Sequence, residues 1–224
     1  MYYCILNAVI SMASANVQGK KISGLLPFSE VAKFHGHTCP GLTIGYMAAV
    51  AGINALSAER DVDEELVTIV ENDACGVDAI QVVTGCTLGK GNLIFQDHGK
   101  QVYTFINRAN NDAVRVVLKP SFVVDEQDPE LAKLRPKVMS GKATKKEEED
   151  FHRRMEKISE SMRAAPAEKF FTIKHVKAEI PEKARIFASV KCAKCGEMVA
   201  ESRARVHNGG FVCIPCFEAY GRGW

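Results

Sequence analysis

The sequence lacks a long uninterrupted apolar run and carries almost no net charge. Its 224 residues include 29 basic and 27 acidic side chains, a formal net charge of +2. A charge this small does not by itself indicate a nucleic-acid or membrane partner. No stretch reaches the roughly 18 consecutive apolar residues of a membrane-spanning helix, so we expect no membrane partner. Internal repeats and low-complexity tracts are also missing, and the 46% apolar content is typical of a globular protein.

The first sixteen residues, MYYCILNAVISMASAN, lack the basic residue that precedes the apolar run of a secretory signal. The first lysine, Lys20, comes only after that run. The small residues ASA resemble a cleavage site, but the missing charge favours a variable N-terminal helix over a signal peptide. We therefore interpret residues 1–24 as a variable segment and expect a cytoplasmic protein.

Eight cysteines are present, and half of them have the spacing of a metal site. Cys192 and Cys195 form one CxxC pair, and Cys213 and Cys216 form another, with an HNGG turn between the pairs. Zn²⁺ prefers four ligands, and two CxxC turns joined by a hairpin supply four thiolates. The quartet predicts a structural zinc site, and unpaired cysteines of this kind indicate a reducing compartment.

Residues 186–224 resemble the treble-clef zinc finger of the DksA/TraR type, whose last two cysteines open a short helix, here CFEAYGRG. Because those relatives act on transcription machinery, the resemblance implies an alternative function. In that alternative the protein is a metal- or metabolite-sensing regulator whose finger contacts nucleic acid or transcription machinery. We do not favour a nucleic-acid partner, since the tail lacks the dense basic run of a phosphate-tracking surface.

The rest of the chain predicts an α+β fold, with helices packed on a largely antiparallel sheet. Pro27 favours a helix start, and a long helix rich in small residues follows from Pro40. Gly85 is placed to end a later helix. The segments read as strands are ELVTIVEN, AVRVVLKPSFVV and KFFTIKHVKAEIP, and NLIFQDHGKQVYTFIN is read as a hairpin that turns at DHGK.

A charged, amphipathic helix is predicted from Thr144, which stands in capping-box spacing with Glu147. Its apolar stripe is narrow and consists of Phe151, Met155, Ile158 and Met162. We expect this stripe to contribute to a homodimer interface, with packing on the protein's own sheet as the alternative. The predicted divisions of the chain are residues 1–24, 25–140, 141–185 and 186–224.

Three potential metal ligands alternate in FHGHTCPG, residues 34–41. In an extended segment this period of two places His35, His37 and Cys39 on one face. Imidazole and thiolate are soft to borderline metal ligands. Pro40 stands at the first position of a predicted helix, so Cys39 is its N-cap, where the helix dipole and free amides favour a thiolate.

Two further cysteines stand at the ends of the next predicted helix. Cys75 precedes that helix in ENDACGVDAIQ, with Asp78 one turn later, and Cys86 follows it in a glycine-rich loop. Taken singly, each of Cys39, Cys75 and Cys86 is better explained by packing in a core than by a functional role. With His35 and His37 they supply enough N and S donors for a metal with three protein ligands and an open position, as in catalytic sites.

The loop GCTLGKGN, residues 85–92, comes close to a phosphate-binding loop. It misses the spacing of GxxxxGK[ST] by one residue and lacks the hydroxyl after Lys90, which excludes a P-loop NTPase. A general anion-binding nest of backbone amides remains open.

Three blocks of this sequence together resemble the FmdE family, named for a component of formylmethanofuran dehydrogenase. The blocks are FHGHTCPGLTIGYMAA, ENDACGVDAIQVVTGCTLGKGNL and DHGKQVYTFINR, within roughly residues 25–125. The resemblance implies an α+β core, a metal in the His/Cys cleft and a homodimer. The family name is linked to tungsten or molybdenum enzymes that reduce CO₂ to a formyl group. The motifs assign functional positions to His37, Cys39, Cys75, Cys86 and Lys90.

We therefore predict a metal-binding protein that is an oxidoreductase-associated subunit or enzyme, with a larger oxidoreductase complex as a further partner. The core metal, which we take to be a second Zn²⁺, is predicted to be held by His37, Cys39 and Cys75. Cys86, His35 and Asp78 are the next candidates for a ligand, a base or an orienting group. The predicted catalytic set is His37, Cys39, Cys75, Cys86 and Lys90.

Overall fold

The computed structural model of the chain describes residues 25–222. The predictions for residues 1–24 lie outside the described residues. The chain divides into two compact units, the first ending at Lys183 and the second beginning at Ala184. The first unit is a mixed α/β structure, and the second is a small region that contains the cysteine quartet.

A five-stranded sheet in the order β2-β1-β3-β4-β5 forms the centre of the first unit. Strand β1 pairs with β2 in parallel, and the three other pairings are antiparallel, which confirms the predicted sheet type. The strands are β1 Leu66–Val70, β2 Leu93–Phe95, β3 Val102–Asn107, β4 Asp112–Leu118 and β5 Phe171–His175.

Seven helices lie within the described part of the first unit. They are α1 Phe28–His35, α2 Pro40–Leu56, α3 Gly76–Thr84, α4 Val124–Gln127, α5 Pro129–Met139, α6 Lys145–Arg163 and α7 Ala167–Phe170. None of the helices within residues 25–222 has the length and apolar character required to cross a bilayer.

Helix α2 is the buried centre of this unit, and its glycines allow other groups to approach its backbone. A Cβ atom on Gly45 would lie 2.1 Å from the carbonyl oxygen of Gly76, at the start of α3. A Cβ atom on Gly52 would lie 2.2 Å from the ring of Phe105 on β3. These contacts place α2 against both the sheet and α3, and they bring the N-terminal ends of α2 and α3 together.

The hairpin predicted for residues 92–107 is wrong. Strands β2 and β3 are not paired, because β1 lies between them and pairs with both. The loop DHGK crosses the end of β1 instead of closing a two-stranded turn. The unit β1-α3-β2 is therefore a parallel crossover, and Cys75 follows the carboxyl end of its first strand, where open α/β sheets form their binding crevices.

The apolar stripe of α6 is covered within the chain, so its predicted place in a dimer interface is wrong. Phe151, Ile158 and Met162 are 3%, 6% and 1% exposed and belong to the main core, with Met155 partly buried against it. Helices α2 and α5 supply much of this cover. The predicted capping box is present, because Thr144 and Glu147 bond to each other's backbone.

The second unit contains two short antiparallel hairpins. Strand β6 Ser189–Lys191 pairs with β7 Met198–Ala200, and β8 Arg205–His207 pairs with β9 Gly210–Val212. The helix expected at CFEAYGRG is absent from residues 216–222. A single 3₁₀ turn, Ile214–Cys216, precedes this segment, and Phe217 has an extended backbone. So few residues cannot stabilise a helix without a packed face.

Candidate metal centres

Three potential ligands meet where α1, α2 and α3 approach one another. His35 is the last residue of α1, Cys39 is the N-cap of α2 and Cys75 is the N-cap of α3. Gly36 takes a left-handed conformation (φ 93°) and turns the chain from α1 towards Cys39. One ligand atom from each of the three residues lies within 4.8 Å of the others.

His35 has the hydrogen-bond pattern of a metal-ligating histidine. Its Nδ1 donates to the carboxylate of Asp78 at 2.7 Å, and in a neutral ring this bond leaves the lone pair on Nε2. Nε2 is buried and has no hydrogen-bond partner among residues 25–222. A buried polar atom of this kind normally has a partner, so the donor set fits a bound metal ion.

Cys39 and Cys75 are close enough to act on a common ion. The Sγ atom of Cys39 accepts a hydrogen bond from the backbone N–H of Leu42 at 3.3 Å, as expected for an N-cap. Burial raises the pKa of the Cys39 thiol, and the neighbouring Cys75 raises it further. Ionising the Cys39 thiol is therefore unfavourable without a cation, and metal binding would be coupled to proton release.

His37 lies at the surface beside this cluster and is not one of its three donors. Its ring centroid is 4.5 Å from that of His35, and the side chain is exposed. The structure therefore groups His35, which the sequence ranked below His37, with the two cysteines. The role of His37 as a ligand remains a prediction.

Cys86 and Lys90 lie beyond the opposite end of α3 from Cys75. The nine-residue helix spans about 14 Å, so the structure does not bring them to the cluster. Cys86 is fully buried, and burial raises the pKa of its thiol. Lys90 forms an ion pair with the buried carboxylate of Asp61. Their catalytic roles remain predictions.

Backbone N–H groups in the loop that carries Lys90 form hydrogen bonds within the loop itself. The N–H of Thr87 donates to the side chain of Asn92 at 2.9 Å, and the N–H of Lys90 donates to the Thr87 hydroxyl at 3.2 Å. Amides that bond within the loop are not available to an anion. The internal bonds therefore argue against the anion nest.

Sequence reasoning missed two buried residues beside Cys75. Tyr103 on β3 donates its hydroxyl hydrogen to Gln101 at 2.9 Å, and burial raises the pKa of Tyr103 to about 12. A Cβ atom built on Gly76, the residue after Cys75, would lie 2.6 Å from the Tyr103 hydroxyl oxygen. Asn72 is also buried on the segment that leads to Cys75. A tyrosine in a strand and an asparagine before a helix carry no distinctive signal in one sequence.

The four cysteines of the second unit form a closed cluster. Their Sγ atoms lie within 4.8 Å of one another, and those of Cys195 and Cys213 are 3.9 Å apart. Two sulfurs bound to Zn²⁺ at about 2.3 Å in a tetrahedron stand about 3.8 Å apart, so the spacing fits this ion.

The electrostatics of this quartet allow full ionisation only when a cation is bound. Backbone N–H groups of Cys195 and Cys213 lower the pKa of Cys192 to about 6, which favours one thiolate. A hydrogen bond with the Cys213 thiol raises the pKa of Cys216 to about 12. Four thiols in contact cannot all ionise unless a positive ion compensates them, and Zn²⁺ does so in sites of this type.

Two family models match the chain. The model described as "FmdE, Molybdenum formylmethanofuran dehydrogenase operon" matches residues 34–172. The model of the prokaryotic dksA/traR C4-type zinc finger matches residues 185–221.

A curated protein from Archaeoglobus fulgidus, named a probable S-adenosyl-L-methionine-binding protein, is 35% identical over 213 residues. The match covers 92% of this chain and 56% of that protein, so the chain spans about half the length of this relative. A solved structure of a tungsten formylmethanofuran dehydrogenase FmdE-like protein from Syntrophus aciditrophicus is also similar. It has a TM-score of 0.56 and 24% identity, and the match covers 84% of this chain and 88% of that chain. At this identity the likeness shows the fold alone.

Proposed function

The chain belongs to the FmdE family and ends in a four-cysteine zinc finger, and we propose on this basis that its core holds a metal centre of the catalytic type. The observation that supports this most directly is the meeting of His35, Cys39 and Cys75 within 4.8 Å. Three protein ligands leave one position of a tetrahedral ion open, whereas the finger quartet closes all four. When bound in the core, Zn²⁺ would polarise a carbonyl group or lower the pKa of a water molecule.

The surrounding residues have distinct roles in this proposal. Asp78 orients the His35 ring and increases the basicity of Nε2. The N-terminal end of α2 favours a thiolate at Cys39 through the helix dipole and the N–H of Leu42. Cys75 stands at the corresponding end of α3. His37 is exposed beside His35 and is placed to exchange protons with solvent or to complete the ligand set.

The finer function that we propose is that of an oxidoreductase-associated subunit or enzyme in the cytoplasm. Its support is the description of the matching family model, which names a formylmethanofuran dehydrogenase operon. The regulator alternative has no stronger support, because a four-cysteine finger serves many roles. Salt-dependent retention on DNA would favour the regulator, and co-purification with oxidoreductase components would favour the proposal.

Binding of S-adenosyl-L-methionine is stated of the Archaeoglobus relative, and the rest of that protein lies outside the match. Calorimetric titration of this chain with S-adenosyl-L-methionine tests whether the shared part carries that binding. Heat of binding would extend the proposed function to this ligand, and no heat would restrict the property to the relative.

Cobalt titration tests the proposed metal centre. Co²⁺ replaces Zn²⁺ in sites of this type and gives absorption bands that depend on its thiolate ligands. The difference between the wild type and Cys75→Ser isolates the core site, because both proteins keep the finger cysteines. We expect the wild type to show an additional thiolate–cobalt band. Identical spectra from two folded proteins would refute the proposal.

A further inference from the structure

The segment that carries Cys75 is fixed by a loop from elsewhere in the sheet. Residues 71–75 lead from β1 to α3, and residues 96–101 cross beside them. The N–H of Gln96 donates to the carbonyl of Val70 at 2.9 Å, and the N–H of Lys100 donates to that of Glu71 at 2.8 Å. The 96–101 loop, which contains the predicted hairpin turn, therefore fixes the segment that leads to Cys75.

The side chain of Asn72 links the 96–101 loop to Ala74, the residue before Cys75. Its side chain is buried, with 4% of the residue exposed. Nδ2 donates to the carbonyl of Lys100 at 2.7 Å, and Oδ1 accepts from the N–H of Ala74 at 3.1 Å. One side chain thus holds both the loop and the turn that places Cys75 at the start of α3.

The buried carboxylate of Glu71 connects the 96–101 loop to the sheet. Glu71 forms an ion pair with Arg115 on β4, and its other oxygen is 3.1 Å from Nδ1 of His98 in the loop. These contacts lower the pKa of Glu71 against the effect of burial, so the carboxylate remains charged in its buried position. The loop is therefore a fixed support.

We propose that Asn72 is a positioning residue of the core metal centre and acts through Cys75. The inference rests on the proposed function, since it assumes that Cys75 is a ligand. Outer-sphere groups that orient a ligand typically contribute about 10–100-fold to metal affinity, because they hold its donor atom at the productive distance and angle. Removing the Asn72 amide would free the turn and displace Sγ of Cys75.

Cobalt titration of Asn72→Ala tests this role, with the core signal again taken as the difference from Cys75→Ser. We expect an affinity about 10–100-fold weaker than that of the wild type, and a changed intensity of the thiolate–cobalt band. Asn72→Ser is the conservative variant, because its hydroxyl can still accept from the N–H of Ala74 but does not reach Lys100. Its cobalt affinity should fall between those of the wild type and Asn72→Ala.

Asn92 provides a matched control. It is fully buried and donates to Asp61 at 2.8 Å and to the carbonyl of Leu66 at 3.0 Å, at the end of α3 opposite to Cys75. Asn92→Ala therefore removes a comparable set of buried hydrogen bonds. We expect it to lower thermal stability while leaving the core cobalt spectrum and affinity unchanged.

The outcomes separate this inference from the proposed function. If the wild type and Cys75→Ser give the same spectrum, the metal centre itself is refuted. If the wild type has the core band and Asn72→Ala matches it in affinity and intensity, Asn72 does not position the ligand. Equal spectral changes in Asn92→Ala, or loss of the fold in both Asn72 variants, would also overturn the inference and leave Asn72 a general structural residue.

Discussion

At the scale of single residues, hydrogen bonding distinguishes His35 from His37 as a candidate metal ligand. Both histidines stand in the same alternating motif, and the prediction favoured His37 because of its place in the family's HGHxCPG block. The structure instead gives His35 a carboxylate partner and a buried Nε2. The partner, Asp78, is 43 residues away along the chain. A single sequence does not show which distant residues will form a hydrogen bond. The motif could therefore be predicted from the sequence, but which of its two histidines joins the cysteines could not.

We predict that Asp78→Asn weakens metal binding at the core by about 10–100-fold and leaves the finger unaffected, because an amide fixes the His35 ring less firmly than a carboxylate. Metal competition with a chromophoric chelator measures the change. Asp112→Asn is the control, since Asp112 at the start of β4 pairs with the exposed His175 of β5 at 2.9 Å, away from the core cluster. Equal affinity in Asp78→Asn and wild type would contradict the role of Asp78.

At the scale of elements, local start and stop signals predicted four of the helices. Helices α1, α2, α3 and α6 form where Pro27, Cys39, Gly85 and the Thr144 capping box indicated. Helix α5 was missed, although Asp128 and Pro129 carry an N-terminal signature. The pairing of β2 was also missed, because pairing across a parallel crossover depends on distant contacts and not on neighbouring residues.

The contact between α2 and α3 determines whether Cys39 and Cys75 meet, and Gly45 tests it. Gly45→Ala would place a methyl group against the backbone of Gly76, so we predict a loss of about 1–3 kcal/mol in the free energy of unfolding. Core metal affinity should fall with it. Denaturant unfolding and cobalt titration measure the two effects.

Gly89→Ala is the matched control for this change. No atom of residues 25–222 lies within 4 Å of a Cβ built on Gly89, so the variant's free energy of unfolding should stay within about 0.5 kcal/mol of the wild type. If Gly45→Ala behaves like Gly89→Ala, the close approach of the two helices does not control the site.

At the scale of the whole molecule, the chain combines two units with different sources of stability. The first unit has an extensive apolar core around α2, whereas the second has a small cluster centred on Cys192, Val212 and Cys213. About forty residues bury too little apolar surface to fold unaided. We therefore expect the fold of the second unit to depend on a bound metal ion.

We predict that Cys213→Ser unfolds residues from Ala184 onward and leaves the first unit folded. Limited proteolysis followed by mass measurement should show rapid loss of the tail and a stable fragment that ends near Lys183. Chelation of the wild type should produce the same fragment. A protease-resistant tail in the folded variant would show that metal does not hold this unit together.

We also predict a homodimer in solution, as the FmdE resemblance implies. Light scattering should give about twice the chain mass of 24.6 kDa. Because Phe151 and Ile158 are buried within the chain, replacing both with aspartate should unfold the first unit and not dissociate a folded dimer. A monomeric wild type would refute the prediction.

Metal content tests the central claim, that the chain holds an open core metal centre in addition to its finger, most directly. Elemental analysis of protein purified without chelators should give about two metal ions per chain for the wild type, and about one for Cys39→Ser and Cys75→Ser. Cys86→Ser is the control, since Cys86 is fully buried beyond the far end of α3, and it should retain about two. One ion per chain in the wild type, or the same content in all four folded proteins, would contradict the account.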